Sequence, residues 1–174
     1  HTFKQNYYTA AAYGLAKDNE SSKMDGESQF TRVFGEINVH EICENGAKKA
    51  TSRLNAKKLK TGNYPVVIYR DEFSTILQMI SNYFSAKEVF EKKSLLAGKL
   101  NQKVASTKVN LIDDPLELRG SNLRPFDCEG APSQKISLIE NGTLKNYLTD
   151  LKYSLKMTLP HTAHASRGPT TTSE

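Results

Sequence analysis

The residues with the most chemistry to offer lie in one stretch, Asp113-Asp114-Pro115-Leu116-Glu117-Leu118-Arg119-Gly120-Ser121-Asn122-Leu123-Arg124-Pro125-Phe126-Asp127-Cys128-Glu129-Gly130. It places two Pro, two Gly, three Asp, two Glu and two Arg between segments that read as strands, so it must be a long ordered loop with opposite charges close together. Loops of this length inside a compact chain are usually functional. Two chemistries fit the composition. In one, Asp113, Asp114, Asp127 and Glu129 pair with Arg119 and Arg124 and simply hold the connection in shape. In the other, Asp114, Arg119, Arg124, Asp127 and Glu129 line a site for a polar or peptide-like ligand.

The remaining reactive side chains give weaker patterns. His40-Glu41 starts like a zinc-protease motif, but Glu44 and Asn45 stand where a second imidazole is needed, so the pair reads as the first turn of a capped helix. His161 and His164 are bracketed by Pro160 and Gly168, with no Cys or carboxylate at short ligand spacing, and read as loop residues. No Gly-x-Ser-x-Gly elbow occurs, and Gly130 is followed by Ala131-Pro132 rather than by a phosphate-binding fingerprint. Cys128 stands among acids, a poor setting for a nucleophile. With Cys43, 85 positions away, it forms neither a CxxC pair nor a disulfide framework, and both read as free thiols.

These groups need a folded frame, and the composition provides for one. A chain of 174 residues with 37% hydrophobic content and no low-complexity tract is globular and long enough to bury a core. There is no apolar run of about 18 residues and no signal-like start, so neither membrane insertion nor secretion is indicated, and a cytoplasmic setting is expected. The net charge of +5 permits an acidic partner. Its lysines, however, fall in short clusters interleaved with acids, such as Lys57-Lys58-Leu59-Lys60 and Lys92-Lys93, and no Arg stripe with aromatics appears, so no nucleic-acid footprint is expected.

In chain order, Gln5–Ala16 and Gln29–Ile37 read as strands joined by a long polar loop, Lys17–Ser28. Asn38 with Glu41 forms a capping box for a helix to about Lys57, with Ile42, Gly46, Ala47, Ala50 and Leu54 on one face and Gly46 as the point of nearest approach to a neighbour. Pro65–Tyr69 reads as a short buried strand. Asp71 is expected to cap a second helix whose apolar face carries Phe73, Ile76, Leu77 and Ile80. Ser85 with Glu88 starts a third, running to about Leu100. After Lys108–Ile112 and the central loop, Lys135–Glu140, Asn141-Gly142 and Thr143–Leu148 form a hairpin with a primed two-residue turn. Strands, then helices, then strands define an α+β fold with antiparallel hairpins.

With these residues in view the chain resembles the TldD/PmbA family, in particular the PmbA/TldE-like subfamily, whose older label is modulator of DNA gyrase. The resemblance rests on Gly62-Asn63-Tyr64-Pro65-Val66-Val67-Ile68, Asp113-Asp114-Pro115, Arg119-Gly120, Arg124-Pro125-Phe126-Asp127-Cys128-Glu129-Gly130, Ile139-Glu140-Asn141-Gly142 and Ala165-Ser166-Arg167-Gly168, in the family's order. It implies a fragment of a two-domain protein, with residues 1–60 closing an N-terminal α+β domain and 61–174 opening the C-terminal one. It also implies a proteolytic system in which a TldD subunit holds zinc through HExxxH and a later cysteine, while a TldE/PmbA subunit does not. The substrates so implied are unfolded peptides, in peptide maturation and antitoxin degradation.

In catalytic members the HExxxH lies on the helix after the Pro-Val-Val-Ile-like strand. Here that helix reads Ile76-Leu77-Gln78-Met79-Ile80-Ser81-Asn82-Tyr83, and no His occurs from Glu41 to Pro160. The resemblance therefore implies a non-catalytic subunit with no cofactor of its own. Its partner is a zinc-bearing TldD-like subunit, a second copy of itself, or both. The rival reading is a regulatory protein acting on DNA gyrase or binding DNA. That rival requires DNA affinity falling steeply with salt, and a flat filter-binding profile between low and moderate salt would remove it.

Overall fold

The computed structural model describes residues 2, 4–120 and 122–166, apart from the Asp71 side chain. They fall into two compact units, Thr2–Pro65 and the chain from Val66 onward. The fold is α+β, with antiparallel strand pairs in both units.

The first unit is a hairpin of β1 (Tyr8–Asp18) and β2 (Ser21–Thr31) covered by helix α1 (Val39–Ser52). Pairing is continuous from Tyr8 opposite Thr31 to Asp18 opposite Ser21, so the connection is two residues long, with Asn19 at φ +49°. The polar stretch 17–28, expected as a loop, is therefore strand except for the turn at Asn19-Glu20. On a two-stranded ribbon one face stays in water, and polar residues there cost nothing in packing. The face toward the helix is built from Ala10, Ala12, Gly14 and Ala16, small enough for close approach.

Asn38 caps α1 as expected: its side chain accepts the Glu41 N–H at 3.1 Å, while its amide donates to Glu41 Oε2 at 3.2 Å. The helix buries Ile42, Gly46 and Ala50 and ends at Ser52, five residues short of the expected Lys57. Asn55 explains the stop: it adopts φ +55°, and its side chain donates to Asp18 Oδ2 at 2.7 Å while its N–H reaches Ser21 Oγ at 3.2 Å, tying the chain to the hairpin turn. Ion pairs Lys49–Glu27 (3.0 Å) and Arg53–Asp25 (2.5 Å) add links between α1 and β2.

In the second unit, α2 (Arg70–Ser81) continues through a single 3₁₀ turn to α3 (Ala86–Phe90). Strands β3 (Leu111–Asp113), β4 (Ile136–Glu140) and β5 (Thr143–Leu144) form an antiparallel sheet in that order. Helix α4 (Leu151–Met157) follows. The core joins Phe84, Ala86, Val89, Ile136, Leu138, Ile139, Leu144, Tyr147 and Tyr153. The Tyr147 hydroxyl donates to the Leu96 carbonyl at 2.5 Å, pinning the 91–100 segment.

Several expectations change here. Val66–Tyr69 forms no strand and is open, with Val67 98% exposed, because no strand among the described residues pairs with it. Helix α2 begins at Arg70 after Tyr69, so Asp71 lies inside it rather than at the cap. Its apolar face is only partly covered: Leu77 and Ile80 are half-buried, Phe73 and Ile76 exposed. Ser85 makes no capping hydrogen bond, and α3 stops after five residues, with Lys92 at φ +58°. The Asn141-Gly142 turn is as expected, both residues at positive φ (45° and 78°). Its second strand is cut short at Leu144. Helix α4 had no counterpart in the sequence reading; Asp150 caps it by accepting the Tyr153 N–H at 2.7 Å.

Gly46 does mark a near-contact: a Cβ there would stand 2.9 Å from the Ala12 carbonyl oxygen. Gly46→Ala is expected to lower the stability of the first unit by about 1–3 kcal/mol despite alanine's better helix propensity. Thermal unfolding followed by circular dichroism, against a Gly35→Ala control that meets open space, measures it.

Candidate functional site

The central loop is ordered by its own backbone: Gly120 N–H donates to Glu117 O (2.9 Å), Arg124 N–H to Pro115 O (2.8 Å) and Ser133 N–H to Pro125 O (2.9 Å). Asp113, Asp114, Asp127 and Glu129 do not pair with Arg119 and Arg124 as expected. Asp114 pairs instead with Lys135 (2.9 Å) and Asp113 with His164 (2.8 Å), while Arg119 pairs with Glu117 (3.3 Å). Among the described residues no ion pair joins Arg124 to these carboxylates. The partners of Asp113 and Asp114 lie outside the charged stretch, so its composition alone pointed to the wrong ones. The Lys135 ammonium, with the Leu116 N–H, holds the half-buried Asp114 carboxyl below its ordinary value.

Asp127 is the organising group. Its carboxylate is enclosed and accepts three backbone N–H groups: Glu129 (2.9 Å) and Ala131 (3.0 Å) on Oδ1, and Ala165 (3.0 Å) on Oδ2. The first two fold the loop around its own aspartate; the third fastens it to the chain 38 residues later. The Cys128 N–H donates to the Ala165 carbonyl at 3.2 Å and completes the fastening. Burial pushes the Asp127 carboxyl up, but the N–H groups of Ala165, Ala131 and Glu129, with His161 nearby, outweigh it and hold the group below the usual range.

Around that anchor the return segment 159–165 is held by side chains. Thr149 and Thr162 exchange hydrogen bonds: the Thr149 N–H donates to Thr162 Oγ1 (2.6 Å) and the Thr162 N–H to Thr149 Oγ1 (2.9 Å). His164 bridges the Thr162 carbonyl (2.6 Å from Nδ1) and Asp113 (2.8 Å from Nε2), linking β3 to the segment. Glu129 reaches α4, accepting the Leu151 N–H at 3.0 Å. His161, read from sequence as lacking a carboxylate neighbour, stands 3.6 Å from Glu129 and 4.0 Å from Asp127. Its partners are 32 and 34 positions upstream, beyond any spacing rule. Arg167 and Gly168 lie outside the described residues.

A groove of about 260 Å³ lies between α2 and the sheet, where Leu138 of β4, Phe84 and Leu148 also border it. Leu77, Gln78 and Ser81 line it from α2, and Leu111, Ile112 and Asp113 from β3. Of the five loop residues singled out from sequence, Asp127 and Glu129 come together, whereas Asp114 and Arg119 pair elsewhere.

The second unit is thus an α+β module in which an enclosed loop carboxylate fastens the loop to the return segment, with an apolar groove beside α2. Residues 61–174 match the PmbA/TldA metallopeptidase C-terminal domain. A metalloprotease PmbA homologue of Haemophilus influenzae is 34% identical over 95% of this chain and 38% of its own length. A zinc metalloprotease TldD homologue of Saccharolobus solfataricus is 24% identical over 94% of this chain and 41% of its own. Among solved structures, a proposed modulator of a DNA gyrase from Thermotoga maritima superposes with a TM-score of 0.85 at 29% identity, over 90% of this chain and 36% of that one. The chain belongs to the PmbA/TldD family, and it spans a little over a third of the length of these relatives.

Zinc is the metal named for one of those relatives. The groove-facing residues of α2, Leu77, Gln78 and Ser81, do not fit an ion held by helix imidazoles, since none of them is a metal-ligating type.

Because the Asp127 carboxyl is depressed in the fold, its stabilisation is present above the unfolded value near 3.9 and is lost as pH falls through the lower folded value. Asp127→Asn is therefore expected to reduce stability at pH 7 by about 1–3 kcal/mol and to flatten the acid limb of the stability curve. Urea titrations from pH 7 down to pH 3 measure both effects; an acid limb as steep in the variant as in the wild type assigns the loss to other carboxylates.

Proposed function

We propose that this chain is part of a PmbA/TldE-like, non-catalytic subunit that holds an extended, unfolded peptide for a zinc-bearing TldD-like partner. The observation that supports it most is the composition of α2 at the groove. Gln78 and Ser81 occupy the wall from which a catalytic relative would present imidazoles, so the groove keeps the shape for a peptide while lacking the groups that polarise water. Leu111, Ile112 and Asp113 of β3, with Leu138 of β4, form the opposite wall, and β3 is the edge strand of its sheet. A peptide laid there would add its backbone to the sheet, a mode that depends on main-chain hydrogen bonds and so accepts many sequences. The partner would supply zinc, and the complex would act in the cytoplasm on substrates such as peptides undergoing maturation or an antitoxin being degraded. Arg124 and Asp114 of the charged loop are the positions proposed to meet polar parts of the peptide.

The test is cleavage of an unfolded peptide by this protein alone and mixed with an HExxxH-bearing relative from the same cell, zinc being supplied. Activity confined to the mixture is the expected result. Activity of this protein alone, abolished by a chelator, would overturn the helper assignment. Arg124→Ala is expected to raise the KM of the mixture several-fold with kcat unchanged; an unaltered KM would remove Arg124 from the peptide path.

A further inference from the structure

The His161 imidazole is the one ring in the charged cluster whose role the hydrogen bonds do not explain. Its Nε2 is buried from solvent and has no hydrogen-bond partner. The nearest acceptors, Glu129 Oε2 at 3.6 Å and Asp127 Oδ2 at 4.0 Å, lie beyond hydrogen-bond range. The side chain is only partly buried, at 29% exposed, yet this enclosed nitrogen faces two carboxylates across a gap that no protein donor or acceptor fills.

The gap has the dimensions of an ion. Bonds from zinc to imidazole nitrogen or carboxylate oxygen are about 2.0–2.2 Å, so two donors sharing one ion stand roughly 3–4 Å apart. Donor atoms of Asp127, Glu129 and His161 all lie within 4.8 Å of one another. We propose that Asp127, Glu129 and His161 form a binding site for a divalent transition-metal ion of the zinc class. The donor chemistry agrees: one imidazole and two carboxylates match zinc-class ions, and the two negative charges balance the ion.

The surroundings are those of oriented ligands. Each carboxylate oxygen offers about two acceptor positions. Oδ2 of Asp127 uses one on the Ala165 N–H, and Oε2 of Glu129 uses one on the Leu151 N–H. Both keep a lone pair for the ion, while the N–H groups fix the direction in which they point. The His161 carbonyl is held by the Gln134 side chain at 3.3 Å, which steadies the backbone that carries the ring. Three protein donors leave a fourth position for water or a ligand carboxylate. The ion would join the central loop to the return segment. This site is separate from the groove beside α2 and stands whether or not the chain is a helper subunit.

The test is Zn²⁺ binding to the chelator-stripped protein, followed by calorimetry and by metal analysis after dialysis. One ion per chain is expected for the wild type and for His40→Ala and Cys128→Ser. His161→Gln and Glu129→Gln, which preserve side-chain size, are each expected to weaken binding by 10-fold or more and to abolish the rise in melting temperature that zinc produces. Circular dichroism of the stripped variants verifies that they fold, and nitrogen-15 imidazole spectra of the wild type are expected to show the His161 ring alone shifting with zinc. Absence of binding by the wild type, or equal binding by His161→Gln, would overturn the proposal. Loss in Cys128→Ser with His161→Gln unaffected would overturn it as well, by moving the ion to the thiol.

Discussion

A carboxylate shut away from water is tolerable only when its oxygens are filled with donors, and the second unit meets this condition at Asp127 with backbone alone. Two of the donors come from the next four residues, so the charge dictates the shape of the loop. The third comes from Ala165, so the same charge dictates where the chain returns after α4. The loop, the helix and the return segment are thus not three independent pieces. Removing the negative charge frees all of them at once, whereas the exposed pair Arg119–Glu117 can be lost with little consequence.

What the sequence made legible was local. The Asn141-Gly142 turn, the Asn38 cap and the close approach at Gly46 each depend on a few neighbouring residues whose types admit one conformation. What it hid was decided at a distance or by the absence of a strong signal. The polar arm Ser21–Glu27 looked like a loop because a two-stranded ribbon tolerates polar residues on its wet face. Helix α4 is seven residues long, too short for periodicity, with only Asp150 to announce it. Ser85 had the residue type of a cap and not the hydrogen bond.

The central stretch was correctly singled out as a long ordered loop dense in charge, yet its pairing was misread. The groups that complete it, Lys135, His161, His164 and the Ala165 amide, lie outside it. Membership in the PmbA/TldD family fixes the scaffold on which these groups are arranged, and not the chemistry at each position. Helix α2 makes the point: it presents Leu77, Gln78 and Ser81 to the groove, none of them a metal-ligating type.

The reach of the Asp127 and His164 contacts also bears on how the unit is made. Asp127 finds Ala165 across 38 residues, and Asp113 finds His164 across 51. Contacts of such sequence separation are slow to form, because a long stretch of chain must be closed before any of them is rewarded. During synthesis the loop would therefore wait, with its acids solvated, until the segment after α4 has emerged and can supply the Ala165 N–H and the His164 ring.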